Sequence, residues 1–354
     1  MIDAFSPIEL GSVKLANRFA VAPMTRNRVA ADGTATPQVA EYYRQRASAG
    51  LIVTEAIYPS TQARSFPGTP LLTNEEQAAS WRQVTDAAHE AGAVIYAQLM
   101  HGGRVFSPDN DLVPLAPSAV RTPEQIYTPS GMRDMPVPRA MTEEDIQTTI
   151  DDFVHAARLA IAAGFDGVEL HGANGFLIQQ FFCSKANVRT DRWGGPAENR
   201  IRFAVAVVEA VAKEIGAERT ALRVSPASPV MGIEEADTEA LYRALFAALA
   251  PLGLAFVDMR EWPGRRRLTE ELRALWPGKL VLNPHAEDAP RPPHEEARDA
   301  LDSGVADVVA FATAFLANPD LPRRIAQAGP YNEPDPATFY GGATGYTDYP
   351  FLEG

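Results

Sequence analysis

The chain has 354 residues, of which 46% are apolar and 22% charged, a composition typical of a globular protein with a large core. No run approaches the roughly 18 consecutive apolar residues of a membrane span, so we expect a cytoplasmic protein without a membrane partner. The net charge of −13 disfavours nucleic acid as a partner, and the single cysteine excludes a disulfide framework or a cysteine-rich metal site, so no metal is expected.

Eight short runs of apolar and β-branched residues recur along the chain. None has a polar alternate face, which is typical of a parallel sheet covered on both sides. The predicted strands span residues 18–24, 51–56, 94–99, 167–171, 221–224, 255–259, 280–283 and 307–311.

Segments with the composition of helices follow these runs. Two of them open on a capping residue followed by acidic residues, Thr73-Asn-Glu-Glu76 and Thr142-Glu-Glu-Asp145. The predicted helices span residues 37–48, 74–91, 142–163, 197–215, 238–250, 268–275, 293–302 and 319–328. Strand and helix alternate eight times, which predicts an α/β fold, the (β/α)₈ TIM barrel, with its site on the loops that follow the strands.

The whole chain, 1–354, is predicted to be one TIM-barrel domain with two departures from regular spacing. Residues 102–141, rich in Pro and Ser, are too long for a simple connection after the third strand. We expect this long excursion to form a lid or subdomain over the barrel mouth. Residues 330–354 are predicted to be an aromatic C-terminal tail over the barrel.

The most specific motif lies within residues 164–202. It reads His171-Gly-Ala-Asn174-Gly-Phe176, then Asn187-Val-Arg-Thr-Asp191-Arg-Trp-Gly-Gly195 and Glu198-Asn-Arg200. This motif resembles the old yellow enzyme family of NADH:flavin oxidoreductases and 12-oxophytodienoate reductases, and the resemblance covers essentially the whole chain. It implies FMN as cofactor, NAD(P)H as reductant only if FMN is bound, and a small unsaturated carbonyl compound as substrate.

The resemblance assigns the catalytic positions. In the family, a His/Asn pair grips a carbonyl oxygen beside the flavin, and this pair matches His171 and Asn174. Two donors aimed at one oxygen would polarise an enone and stabilise the enolate that forms from it. The family's proton-donating tyrosine is replaced by Phe176, which has no O–H to give. A reductase would then have to take this proton from water.

The same resemblance implies a set of residues around the flavin ring. Thr25 would contact the carbonyl beside N5, Gln98 the alternating edge of the ring, and Arg223 the negative side of the reduced flavin. From the residues alone, two purely structural roles remain equally open: Pro23 as the terminator of the first strand, and Gln98 as a buried residue that caps the third strand. The implied ring contacts are Pro23, Met24, Thr25, Ala56, Gln98 and Arg223.

The implied phosphate-binding loops depart from the family pattern. Where the family has Asn-Gly-Gly, this chain has Asn283-Pro284-His285, and proline lacks an N–H to donate. Where the family has Phe-Gly-Arg-Pro-Phe, it has Phe311-Ala312-Thr313-Ala314-Phe315, without the arginine. Losing an arginine fork on a partly buried phosphate costs roughly 2–5 kcal/mol, so weak or absent FMN binding is expected. His285 and Arg265–267 are candidates to compensate, although a charge run is more simply a solvated loop.

Three functions remain open for such an atypical member. The first is non-redox chemistry on an unsaturated carbonyl compound held by His171 and Asn174, as isomerisation, cyclisation or conjugate addition. The second is an FMN-dependent NAD(P)H ene-reductase, and the third is an inactive ligand-binding homologue. Assembly into a homo-oligomer is left open.

Overall fold

The computed structural model describes residues 3–128, 130–285 and 291–353. Eight parallel strands close into a barrel with helices around it, which confirms the predicted (β/α)₈ fold. Numbered along the chain, the strands are β1 Ile8–Leu10, β2 Val13–Leu15, β3 Phe19–Val21, β4 Leu51–Ile57, β5 Val94–Leu99, β6 Leu115–Ala116, β7 Gln125–Thr128, β8 Gly131–Asp134, β9 Arg139–Ala140, β10 Gly167–Gly172, β11 Thr220–Val224, β12 Phe256–Arg260, β13 Leu280–Asn283 and β14 Val308–Phe311.

The barrel order is β3-β4-β5-β10-β11-β12-β13-β14, so neighbours in the chain are neighbours in the barrel. The α-helices are α1 Pro37–Gln45, α2 Glu75–Glu90, α3 Glu143–Ala162, α4 Leu177–Phe182, α5 Ala197–Arg200, α6 Arg202–Ile215, α7 Thr238–Leu249, α8 Arg266–Leu275, α9 Pro293–Asp302, α10 Thr313–Ala317 and α11 Leu321–Ala326. Among the described residues, no helix combines the length and apolarity needed to cross a bilayer.

Several predicted boundaries need correction. The predicted helix over 197–215 is two helices, α5 and α6, and the predicted helix over 319–328 is shorter, α11, with the additional helix α10 before it. The capping box at α3 is confirmed, because the hydroxyl of Thr142 accepts the N–H of Asp145 at 3.1 Å and the Asp145 carboxylate accepts the Thr142 N–H at 2.7 Å. At α2 the cap is Asn74, whose side chain accepts the N–H of Gln77 at 2.9 Å, and not Thr73.

Strands β1 and β2 form an antiparallel hairpin, which packs against the side chains that fill the barrel interior near the amino ends of its strands. Leu10 and Leu15 are fully buried, and the rings of Tyr96 and Phe256 meet inside the barrel with centroids 5.3 Å apart. Such a layer of bulky side chains makes this part of the barrel a packed core. The inward-facing polar layer of the site lies at the opposite end, near the carboxyl ends of the strands.

The excursion over 102–141 carries structure of its own. Strands β6 and β9 pair in parallel, and β7 and β8 form a hairpin. Val105, Ile126 and Met135 form a small buried cluster beneath it, whereas Tyr127 is 75% exposed. The excursion is thus anchored by its own apolar cluster, and its role as a lid stays a prediction.

The tail after residue 330 packs against α1. The ring of Tyr346, fully buried, stacks on Tyr42 with centroids 4.4 Å apart, and the Arg46 guanidinium lies 3.7 Å from the centre of the Tyr42 ring. Arg28 lies over Tyr346 at 4.4 Å and donates to the carbonyl oxygens of Thr338, Gly342 and Thr344. The cation–π contact of Arg28 with Tyr346 therefore helps to hold the tail, together with the backbone N–H of Leu352 donated to Asp320 at 2.7 Å.

Arg46→Met should destabilise the protein by about 3 kcal/mol in urea-induced unfolding. The guanidinium is buried and donates to the carbonyl oxygens of Tyr42, Phe315 and Leu316, all of which would lose a donor. Arg44→Met, at an exposed position of the same helix, should change stability by less than about 0.5 kcal/mol. Equal effects of the two substitutions would contradict the structural role given to Arg46.

Candidate active site

The register of the barrel gathers the polar side chains at its carboxyl end. Glu169 on β10 aligns with Gln98 on β5, and His171 aligns with Arg223 on β11. Arg223 in turn aligns with Asp258 on β12. Because partners in parallel strands point to the same face, these side chains form one inward-facing polar layer.

A buried network holds this layer together. The Gln98 amide donates to Glu169 at 2.8 Å, Arg223 forms an ion pair with Asp258, and its second nitrogen donates to Asn283 at 3.2 Å. Burial, and then the charge of Asp258, raise the pKa of Glu169 well above its usual range, so Glu169 is neutral and Asp258 carries the charge that balances Arg223. The ion pair fixes the guanidinium of Arg223 inside the barrel.

His171 lies above this network with only 4% of its surface exposed. Burial, followed by the charges of Arg223 and Arg260, lowers its pKa well below the usual value, so the imidazole is neutral at neutral pH. Its Nδ1 atom is buried and has no hydrogen-bond partner among the described residues. A buried ring nitrogen without a partner is suited to bind a ligand atom.

Asn174 follows β10 with a left-handed backbone, φ +54°, which asparagine tolerates better than most residues. Its N–H donates to the hydroxyl of Ser225 at 2.9 Å, and its side-chain oxygen accepts from Arg260 at 2.9 Å. Because the oxygen is engaged, the NH₂ group is the part of the amide left to donate. His171 and Asn174, the two predicted clamp residues, therefore lie at the same end of the barrel, and each is a hydrogen-bond donor there.

Phe176 caps the start of α4 and is half-buried. Its ring centroid lies 5.3 Å from that of His171, tilted by 53°, and it packs against the cluster that contains Ala56 and Met100. The position predicted for the proton donor thus lies beside the imidazole. Its side chain offers only an apolar edge there.

The residues predicted to line a flavin ring follow the first two barrel strands. Pro23, Met24 and Thr25 come directly after β3 and are half-buried, and Ala56 is buried beside an irregularity in the pairing of β4. Glu55 lies beneath this segment and accepts the N–H of Arg26 at 3.1 Å. Burial raises the pKa of Glu55 to about 7.

The loop after β13 is closed by the protein's own carboxylate. Asn283 donates to the carbonyl oxygen of Ala310 at 3.0 Å, and Pro284 is buried. The backbone N–H of His285 donates to Glu261 at 3.0 Å. The first amide after Pro284 therefore already serves a carboxylate. Residues 286–290, which continue this loop, lie outside the described residues.

The three arginines predicted to compensate for the lost phosphate contacts, residues 265–267, differ in their exposure and in their ion-pair partners. Arg266 pairs with Glu261 through two contacts of 2.7 and 3.0 Å, so the prediction of a solvated loop is wrong for this residue. Arg265 and Arg267 are exposed, and Arg267 pairs with Glu271 on its own helix at 2.8 Å. Thr313 is exposed at the first turn of α10. The only one of these arginines that turns inward is already neutralised.

Sequence reasoning missed Arg260 and Glu261. Arg260 ends β12, aligns with Asn283, and reaches Asn174 across the barrel mouth. A signal was present, because the consecutive charged residues Arg260 and Glu261 stand at the carboxyl end of β12, and this end of the barrel carries sites. Among the described residues, no group of three or more His, Cys, Asp or Glu side chains could hold a metal ion.

Comparison with known proteins extends this description. A family described as NADH:flavin oxidoreductase / NADH oxidase matches residues 3–332. A probable flavin mononucleotide-dependent alkene reductase of Leishmania infantum is 40% identical over 358 residues, 98% of this chain and 96% of that protein. An old yellow enzyme homologue from Zymomonas mobilis has a TM-score of 0.94 at 40% identity, over 99% of this chain and 100% of that one. Morphinone reductase has a TM-score of 0.91 at 39% identity, over 99% and 96%.

The closed barrel and its polar layer define an enzyme of the (β/α)₈ class. The full-length matches are more specific: the chain belongs to the NADH:flavin oxidoreductase / NADH oxidase family, the old yellow enzymes. This confirms the resemblance read from the sequence. The family is FMN-dependent, and two of the three relatives named above are described as a probable alkene reductase and as morphinone reductase.

Stability should depend on pH through Glu55. Its folded pKa of about 7 lies above the ordinary 4.5, so its contribution is full below about pH 4.5 and is lost as the pH rises through 7. Relative to Glu55→Gln, the wild type should therefore lose roughly 3 kcal/mol of unfolding free energy between about pH 5 and pH 8. Urea titrations of both proteins across this range, with exposed Glu90→Gln as control, measure the difference. A pH-independent difference would contradict the burial of Glu55.

Proposed function

We propose that this enzyme acts on an α,β-unsaturated carbonyl compound held by His171 and Asn174, and that it does so without tightly bound FMN, in non-redox chemistry such as conjugate addition, cyclisation or isomerisation. The observation that carries the proposal is the contact of Glu261 with the backbone N–H of His285. That contact places a carboxylate at the loop where the family's phosphate cradle is expected. In contrast, both residues proposed for the carbonyl clamp, His171 and Asn174, are present at the carboxyl end of the barrel.

Fit to FMN differs between the two halves of the predicted site. Gln98, Arg223 and the segment 23–25 offer an amide, a guanidinium and a partly exposed wall, which suit a flavin ring, and FMN held there would supply hydride transfer. At the phosphate end, Pro284 has no N–H and Thr313 offers a hydroxyl in place of a guanidinium. The backbone N–H that follows Pro284 is already donated to Glu261, whose charge Arg266 balances, so we infer weak binding.

The residues present suffice to stabilise the enolate of a conjugate addition, in which the nucleophile, an amine, thiol or hydroxyl compound, is a second substrate. Its lone pair forms a bond to the β-carbon, the π electrons of the C=C bond move to the carbonyl oxygen, and its proton passes to water. The His171 ring and the Asn174 NH₂ group stabilise the resulting enolate oxygen. Water then returns one proton to the α-carbon, since Phe176 has none to give. No electrons are gained or lost overall, so no reductant is required.

FMN affinity tests the inference about the cradle. The triple variant Pro284→Gly, Ala312→Gly, Thr313→Arg restores two of the family's glycines and its arginine, and it should bind FMN at least about 30-fold more tightly than the wild type. Quenching of flavin fluorescence during titration measures both dissociation constants.

A matched control separates the cradle from added charge. Thr148→Arg makes the same change at an exposed position on α3 and should leave FMN affinity unchanged. Wild-type protein that is purified yellow with one FMN per chain, or that binds FMN as tightly as the triple variant, would overturn the proposal of a weakened site.

The second candidate function is an FMN-dependent ene-reductase, favoured by the names of the full-length relatives. With FMN, NADPH and cyclohexenone supplied, we expect the wild type to consume NADPH no faster than His171→Ala, because the flavin would not be held in register with the clamp. The loss of NADPH absorbance measures this rate. Turnover at least about 100-fold above that of His171→Ala would establish the reductase and contradict our proposal.

A further inference from the structure

Arg260 is a charged group at the barrel mouth to which the proposed chemistry gives no task. It ends β12, on the inward-facing register of Asn283, and is partly buried. Its guanidinium carbon lies 5.1 Å from the centre of the Trp262 ring, and one nitrogen donates to Asn174 at 2.9 Å. The cation is thus held in place beside the predicted position of the substrate carbonyl.

The partners of Arg260 differ from those of the other inward arginines. Arg223 faces Asp258, and Arg266 faces Glu261. Within the described parts of the chain, no carboxylate lies within ion-pair distance of Arg260. Its one hydrogen bond to an amide oxygen leaves donors of a five-donor group unused. A partly buried guanidinium without an anion is costly unless a ligand supplies one.

The charged groups around Arg260 pair with one another and do not neutralise it. Among the described groups, Asp258 balances Arg223, Glu261 balances Arg266, and Glu169 and His171 are neutral, so the charge of Arg260 is left over. The chain as a whole carries −13. On a protein with a negative net charge, this local positive charge favours the approach of a small anion to Arg260.

We propose that Arg260 binds a carboxylate on the substrate, so that the enzyme selects unsaturated carbonyl compounds that carry an acidic group close to the carbonyl. This inference rests on the proposed function, because it places the carbonyl between His171 and Asn174. Arg260 donates to the amide oxygen of Asn174, so an anion on its remaining donors lies next to the clamped carbonyl. A planar guanidinium binds a carboxylate through two parallel hydrogen bonds.

A pair of probes isolates this contact. Trans-β-acetylacrylate is an enone with a carboxylate on its β-carbon, and its primary amide is neutral and of nearly the same shape. Isothermal titration calorimetry should show that the wild type prefers the carboxylate by about 10-fold or more. In Arg260→Gln the preference should fall to about 2-fold or less, and Arg260→Lys should keep an intermediate preference.

The ratio of the two affinities removes effects common to both probes. If Arg260→Gln turns the Asn174 amide, both probes weaken together and the ratio still reports the anion contact. Arg267→Gln is the matched control, since it removes the same charge from an exposed position on α8 and should leave the ratio unchanged. Far-ultraviolet circular dichroism and the melting temperature confirm that each variant is folded.

The remaining outcomes separate the two proposals. Equal binding of both probes by the wild type, weakened in both by His171→Ala, would overturn the role of Arg260 and leave the clamp intact. Failure of the wild type to bind either probe would overturn the carbonyl clamp and this inference with it. If Arg260→Gln weakens FMN binding 10-fold or more without changing the probe ratio, Arg260 serves a cofactor phosphate and the inference is wrong.

Discussion

The buried ion pair of Arg223 with Asp258 is the contact on which the site depends. Both side chains lie inside the barrel, where an unpaired charge costs several kcal/mol. Glu169 adds a third ionisable group to the same interior, and it is accommodated as a neutral acid that accepts from Gln98. Arg223 also holds Asn283, which ties β11 to β13. The polar layer is therefore rigid before any ligand arrives, and His171 rests on it.

Much of this could be predicted from the sequence. The eight strands were recognised because each is a continuous apolar run, and in the structure both faces of each strand are covered. His171 and Asn174, the residues proposed for the carbonyl clamp, could be selected from the sequence because they belong to one local motif. Strands β1 and β2, in contrast, could not be predicted, because three residues each are too few for a periodic signal. They nevertheless cover the barrel interior near the amino ends of its strands.

What could not be predicted depends on distant pairing. The contacts of Arg260 with Asn174 and of Glu261 with His285 join residues 86 and 24 positions apart, and no local pattern indicates which partner a charged side chain chooses. Arg265–267 shows the same limit. The run looks uniform in sequence, yet one arginine turns inward to Glu261 and its neighbours stay in solvent.

The electrostatics of the mouth do not distinguish a hydride from any other nucleophile. A neutral imidazole, an amide NH₂ group and a nearby guanidinium stabilise the same enolate whichever electron pair attacks the β-carbon. What decides the reaction is the source of that electron pair and the lifetime of the enolate. Phe176 in place of a hydroxyl removes a proton donor from the side of His171, so the enolate persists until water reaches it. A longer-lived enolate has time to attack an electrophile held beside it, and this favours bond formation within the substrate over simple saturation.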